Sequence, residues 1–183
     1  MLNRLSAWLL LISLVIATLW LMHSLDEMLS KSPENNNPVA DYTMKGFKSS
    51  QMDQDGVLKS KLTAATMIHY PQTNATLTAP NLVFYKEKQP IWTLHAERGE
   101  VSPDGKHVWL LDRTTLLRHD KKYPLKIISE DVMVDIDTEH AETSAFTTII
   151  SNKDRNHSVG VQIDMPIGQI DLLSQVRGHY VLP

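Results

Sequence analysis

Beyond Tyr42, the apolar residues of this 183-residue chain alternate with polar ones, which is the pattern of half-buried β-strands. The alternation is clearest over residues 92–97, 132–137 and 159–164, and little helical periodicity interrupts it. Turn sequences separate such runs, for example Asp-Gln-Asp-Gly at 53–56. The pattern therefore predicts an all-β domain built from hairpins.

The sequence also repeats with a period near 32 residues. Residues 62–71 align with residues 94–103 at an offset of 32, and residues 112–117 align with residues 145–150 at an offset of 33. Each unit reads as a strand, a turn and a returning strand. Stacked units of this kind predict a twisted β-jelly-roll or solenoid of antiparallel hairpins whose inner faces line one long trough.

An apolar run precedes this domain. Leu5 to Leu25 contains no Asp, Glu, Lys or Arg, and a helix of that length would reach about 30 Å, the thickness of a bilayer core. Arg4 lies before the run and Asp26 after it, so the positive-inside rule predicts a cytoplasmic N-terminus with the rest of the chain outside. Because no A-x-A cleavage pattern ends the run, we expect an uncleaved transmembrane helix within residues 1–25 rather than a signal peptide.

The chain thus divides into three predicted segments. Within the anchor, Ser13 and Ala17 form a small-xxx-small pair, which can seat one membrane helix against another, although a helix that only faces lipid fits the sequence equally well. Residues 26–41 are polar and punctuated by proline, as expected of a flexible linker. Residues 42–183 remain for one exported β-domain.

The sequence offers little for catalysis or metal binding. It has no Cys and a net charge of −3, which excludes disulfides and thiol chemistry and argues against a nucleic-acid partner. None of its eight His has H-x-H or H-x-x-x-H spacing. Asp135, Asp137 and Glu139 share one strand face, which fits a solvated face better than a cation site. We therefore expect no catalytic residue, no metal, no cofactor and no enzyme activity.

Several short motifs, in their order and spacing, carry a resemblance to a known family. They are YTMKGF at 42–47, QMDQDG at 51–56, LTA at 62–64, HYP at 69–71, PIWTLHA at 90–96, RG at 98–99, VSPDG at 101–105 and VRGHY at 176–180. Together with one apolar N-terminal span and a short linker, they make the whole chain resemble the LptC family. Members of that family are single-pass inner-membrane components of the lipopolysaccharide export machine of Gram-negative bacteria.

The resemblance implies that the trough holds the acyl chains of lipopolysaccharide while the sugars stay in water. Phe47, Leu77, Ile170 and Tyr180 match lipid-lining positions of the family, and the other candidates come from the alternation. The predicted lipid-binding residues are Phe47, Leu62, Leu77, Phe84, Trp92, Leu94, Leu110, Leu116, Val134, Ile136, Ile149, Ile163, Ile170 and Tyr180.

The last strand-forming stretch lies close to the C-terminus, and little chain follows it that could cover its outer side. Such an edge leaves backbone N–H and C=O groups unpaired and can accept a strand from a partner. The predicted partner-edge residues are Ile170, Leu172, Val176 and Tyr180. The simpler interpretation is that Arg177 and His179 only protect this edge from aggregation.

In the family that the chain resembles, one end of the β-domain docks on LptF, a subunit of the ABC transporter that LptF forms with LptG and LptB. The C-terminal end docks on soluble LptA. The resemblance therefore implies that the chain receives lipopolysaccharide from the transporter, which supplies the energy, and passes it to a periplasmic bridge protein. The alternative is a membrane-tethered scaffold that binds protein edges but no lipid.

Overall fold

The computed structural model describes residues 13–24, 39–120, 123–152 and 154–179. The chain divides into two units, Met1–Pro38 and Val39–Pro183. In the first unit, residues 13–24 are helical. Within the described ranges, none of the helices has both the length and the apolarity needed to cross a membrane. The rest of the apolar run and Tyr180 lie outside the described residues, as does most of the predicted linker.

The second unit is an antiparallel β-sheet, as the alternation predicts. Its strands are β1 (Tyr42–Met52), β2 (Leu58–His69), β3 (Ala75–Thr78), β4 (Asn81–Lys86), β5 (Gln89–His95), β6 (Arg98–Val101), β7 (His107–Arg118), β8 (Leu125–Asp135), β9 (His140–Ser151), β10 (Asp154–Asp164) and β11 (Gln169–His179). β1 pairs with β2, and β7 to β11 pair with one another in sequence order. These neighbours are the predicted hairpins.

Two long strands enclose the interior between them. One side of β2 pairs with β4 through residues 60–63 and with β3 through residues 66–68. One side of β7 pairs with β6 through residues 108–111 and with β5 through residues 115–118. Because β3 pairs with β6 and β4 pairs with β5, the strands form a closed circuit. The circuit allows side chains from two facing layers to meet.

The two segments that align in the predicted repeat form different numbers of strands in the circuit. Residues 62–69 continue through one strand, whereas residues 94–101, which align with them, are divided between β5 and β6. The division falls opposite Pro80, whose carbonyl accepts from the Ala96 amide at 3.2 Å. Proline lacks a donor and disfavours a continuous central strand. The two repeat units therefore share a sequence pattern but do not form the same arrangement of strands.

β-Bulges interrupt the strand pairing both in the circuit, in β7, and beyond it, in β10. Register shifts occur between Leu110 and Arg113 in β7 and between Val159 and Val161 in β10. The unpaired residues there have positive φ, 61° at Asp112 and 80° at Gly160, a conformation that suits bulges. Each bulge changes which side chains face inward, so strict alternation does not persist along a whole strand.

Candidate functional site

The structure places nearly all of the predicted lipid-binding side chains in the interior. Eleven of them are buried in the core cluster: Leu62, Leu77, Phe84, Trp92, Leu94, Leu110, Leu116, Val134, Ile136, Ile149 and Ile163. Phe47 and Ile170 are partly buried and pack against that cluster. Tyr180 lies outside the described residues. The inward orientation of the described positions is what the trough requires, and their contact with lipid stays a prediction.

An open groove of about 390 Å³ reaches the interior beside β1. Most of its apolar lining side chains are buried, whereas most of its other lining residues are exposed or partly exposed. The apolar lining consists of Phe47, Leu62, Met67, Val101 and Ile136, and the remaining lining consists of Ser49, Ser50, Gln51, Ser60, Ser102, Pro103, Asp104 and Gly105. A groove with an apolar floor and polar groups around it suits an amphiphile.

Sequence reasoning missed Met67 as a groove residue. In β2 the buried positions run through Leu62 and Ala64 and then shift to Met67. The shift lies beside Gly46 in β1, which has φ 64° and no partner in the register between β1 and β2. A glycine opposite the break in alternation is the signal that could have revealed the change of phase.

Farther along the sheet the interior is closely packed. A narrow cavity of about 10 Å³ lies among apolar side chains that include Leu116, Ile127 and Val161, with Ser129 and Thr147 in its wall. A space of that size holds about one water molecule. The groove and this packed region are therefore distinct parts of the same interior.

A polar cluster joins four separate segments near the groove. Gln51 Nε2 donates to Asp137 Oδ1 at 2.8 Å, and Lys106 Nζ lies 3.0 Å from Asp137 Oδ2. Lys59 Nζ donates to the Asp137 carbonyl at 2.7 Å and lies 3.6 Å from Glu139 Oε1. We call these residues the latch, because they tie the ends of β1 and β2 to the turns before β7 and after β8.

The acidic residues that shared a predicted strand face have separate roles here. Asp137 belongs to the latch, and the hydrogen bond from Gln51, followed by that from Lys106, lowers its pKa. Burial raises the pKa of Glu139, against the opposing effect of Lys59. Asp135 accepts from the backbone N–H of Thr138 at 2.9 Å. Among the described residues, no group of three His, Cys, Asp or Glu is arranged to hold a metal ion.

The latch predicts a pH dependence of stability. The folded-state pKa of Asp137 lies below the unfolded value near 3.8, so its contribution is complete above that value and is lost as the pH falls through the folded pKa. We expect Asp137→Asn to lower the thermal unfolding midpoint at neutral pH, with the difference from the parent shrinking below about pH 4. Asp55→Asn, at an exposed turn position, is the control. A difference that stays constant down to pH 2 would show that this ion pair does not contribute.

The sheet has two edges, β1 and β11, since each pairs on one side only within the described residues. On β11, Ile170 and Leu172 pack against the core, whereas Leu173 and Val176 are 54% and 52% exposed. The structure therefore divides the predicted partner-edge residues: two of them help to close the interior and Val176 faces outward. On β1, Met44 and Met52 are likewise exposed.

Ser13 and Ala17 lie one helical turn apart on the described helix, and both are exposed there. The Thr18 hydroxyl donates to the carbonyls of Leu14 and Val15, so it bonds within its own helix. The helix therefore presents the small-residue pair on one face. The packing of that pair against another membrane helix stays a prediction.

These features define a class of protein: an antiparallel β-domain with an apolar interior, an amphipathic groove and, within the described residues, two sheet edges. A family model described as "Lipopolysaccharide-assembly, LptC-related" matches residues 8–181. The chain belongs to the LptC family. Its role is therefore in lipopolysaccharide transport.

Among solved structures, this chain is similar to the crystal structure of LptH from Pseudomonas aeruginosa, described as the LptA homologous periplasmic component of the conserved lipopolysaccharide transport device. The similarity has a TM-score of 0.45 at 6% identity, and it covers 78% of this chain and 94% of LptH. A comparison with curated proteins gives no match.

Proposed function

We propose that this chain receives lipopolysaccharide from an inner-membrane ABC transporter of LptB, LptF and LptG and passes it to periplasmic LptA. In this proposal residues 1–25 form the single-pass anchor, with the N-terminus in the cytoplasm. Residues 42–183 form a periplasmic jelly-roll that carries the lipid. The observation that supports the proposal best is the groove beside β1, which combines an apolar floor with polar groups at its sides.

The groove addresses the main physical difficulty of such transport. Moving an amphiphile through water exposes its acyl chains, at a cost of about 0.8 kcal/mol for each CH₂ group. Apolar side chains such as Phe47 and Leu62 would cover those chains, while Ser49 and Ser102 lie where sugars could hydrogen-bond. The chain would lower the barrier to transfer, and ATP hydrolysis by the transporter would supply the direction.

In this proposal, each of the two sheet edges binds one of the proteins between which the lipid is transferred. Unpaired edge groups accept a strand from a partner with a similar β-domain. We assign the β1 edge to LptF, because β1 is the strand that follows the predicted anchor and lines the groove. The β11 edge is then assigned to LptA, so that successive sheets would form one continuous apolar surface.

A second function is supported by a different observation. The interior near β8 to β10 holds a cavity of only about 10 Å³, as expected of a scaffold whose inner side chains form a dry core. Such a scaffold would join transporter and bridge through its edges without carrying lipid.

Direct binding of lipopolysaccharide distinguishes the two functions. The full chain, purified in detergent, is incubated with labelled lipopolysaccharide and separated by affinity capture. The transport proposal predicts saturable binding that unlabelled lipopolysaccharide displaces. Capture no greater than that of detergent micelles without protein would contradict it and favour the scaffold.

A further inference from the structure

A row of buried hydroxyl groups crosses the interior on four neighbouring strands. We call Thr114, Ser129, Thr147 and Ser158 the hydroxyl row; all are buried, with exposed fractions between 0% and 3%. Thr114 lies opposite Ser129 in the register of β7 and β8, and Thr147 lies opposite Ser158 in that of β9 and β10. Ser129 Oγ and Thr147 Oγ1 are 2.7 Å apart, which joins the two pairs.

Two hydroxyls of the row hydrogen-bond to nearby backbone carbonyls. Thr114 Oγ1 donates toward the carbonyls of Leu110 and Asp112, at 3.1 Å and 3.3 Å, which the bulge in β7 leaves available. Thr147 Oγ1 lies 3.3 Å from the Ala145 carbonyl. These two hydroxyls therefore have a structural role at the bends of their strands.

Ser158 is different. Its residue is completely buried, and among the described residues its Oγ has no hydrogen-bond partner. A buried hydroxyl without a partner loses its hydration without compensation and destabilises the fold. Alanine would occupy the position without that cost, so the hydroxyl needs an explanation outside the packing of the core.

The row lies where an acyl chain in the interior would pass. Of the row, Ser129 and Thr147 line the narrow cavity, together with the polar residues Glu142 and Thr143 and apolar side chains such as Leu116 and Val161. Residues directly opposite each other in an antiparallel pair share a face, so Ser158 projects to the same side as Thr147. The row thus places polar groups within an apolar surface, on strands that lead from the groove toward β11.

We propose that the hydroxyl row is a subsite for a hydroxyl group carried on an acyl chain of the transported amphiphile. The inference rests on the proposed function, because it requires that acyl chains enter the interior. Ser158 Oγ offers both a donor and acceptor lone pairs, and the Ser129–Thr147 pair has acceptor capacity left. A ligand hydroxyl, which donates and accepts, satisfies both, whereas an unsubstituted hydrocarbon chain leaves Ser158 unpaired. The subsite therefore selects hydroxylated over plain acyl chains.

Binding at the subsite requires the interior to open. The cavity of about 10 Å³ accommodates one water molecule but no acyl chain, so the apolar side chains around it must separate when a chain enters. The competing explanation is a single structural water that satisfies Ser158. The two explanations differ in their consequences, because a water site gives no preference between two acyl chains.

The test compares two probes that differ by one hydroxyl, tritiated 3-hydroxytetradecanoate and tetradecanoate. Affinities for the full chain in detergent are measured by scintillation proximity for the parent and for Ser158→Ala. The ratio of the two affinities is compared between proteins, which cancels the different partitioning of the probes into micelles. Thr148→Ala is the matched control, since Thr148 follows Thr147 on the neighbouring strand β9 but bonds to His157 instead of belonging to the row.

We expect the affinity ratio of the parent, hydroxylated over plain, to exceed that of Ser158→Ala by about five- to tenfold, the usual effect of one buried hydrogen bond. Thr148→Ala should keep the parent ratio. The thermal midpoint of Ser158→Ala should stay the same or rise, because an unpaired buried hydroxyl is removed.

Two results would overturn the inference. Equal ratios in the parent and Ser158→Ala, with lipopolysaccharide still bound, would leave the proposed function intact and assign Ser158 to a water site or to packing. Failure of both probes and of lipopolysaccharide to bind would overturn the inference and the proposed function together.

Discussion

Phe47→Asp is expected to lower the affinity of the full chain for lipopolysaccharide by more than about tenfold, because a carboxylate facing an acyl chain is desolvated without a partner. Phe47 lines the groove and is only partly buried, on an edge strand. The substitution therefore disturbs the groove more than the core. Binding of labelled lipopolysaccharide to the purified chain measures the effect.

The control for this prediction is Met52→Asp. It adds the same charge to the same strand at a side chain that is 53% exposed and is not part of the groove lining. Thermal unfolding of both variants separates lost affinity from lost fold. A Phe47→Asp protein that stays folded and binds lipopolysaccharide as tightly as Met52→Asp would show that acyl chains do not use the groove.

The second large effect concerns the two edges. Leu173→Lys combined with Val176→Lys is expected to reduce capture of LptA by at least about tenfold, since lysine on an edge strand opposes strand addition. Both side chains are exposed, so the fold should persist. Pull-down of purified LptA by the full chain measures the loss, and co-purification of LptB, LptF and LptG should not change.

The matched control is Met44→Lys combined with Met52→Lys on β1, where both side chains are also exposed. That variant should bind LptA normally and associate less with the transporter. The reverse pattern, with LptA lost from the β1 variant and retained by the β11 variant, would reverse the proposed direction along the sheet. Equal effects of both variants on LptA would show that neither edge is specific to it.

Alternation predicted the interior well where strands lie between bends. Trp92 and Leu94 in β5, like Val134 in β8, are buried, because the side-chain period of two holds along an undisturbed strand. The same rule fails across bulges. Over residues 159–164 the alternation predicts that Val159 faces inward with Val161, yet Val159 is only half-buried and Ser158 is fully buried. Gly160 adds a residue to the strand and so shifts the phase.

The latch and the hydroxyl row could not be predicted from the sequence for related reasons. The latch joins Gln51 to Asp137, 86 residues away, and no local pattern encodes a pairing of that range. Ser129 and Thr147 are polar, so a pattern rule assigns them to the solvent face. Only the register of the strands reveals that their hydroxyls meet in the interior.

Site-specific photo-crosslinking in the working complex tests the central claim, that lipopolysaccharide passes through the interior of this domain. A benzoylphenylalanine replaces either Phe47, in the groove, or the next residue along β1, Lys48, which is exposed. Each chain is reconstituted with LptB, LptF and LptG in vesicles that contain lipopolysaccharide. We predict that the probe at position 47 captures lipopolysaccharide only when ATP is hydrolysed and that the probe at position 48 captures none. Equal capture at both positions, or no capture at position 47 while LptA still receives lipopolysaccharide, would contradict the claim.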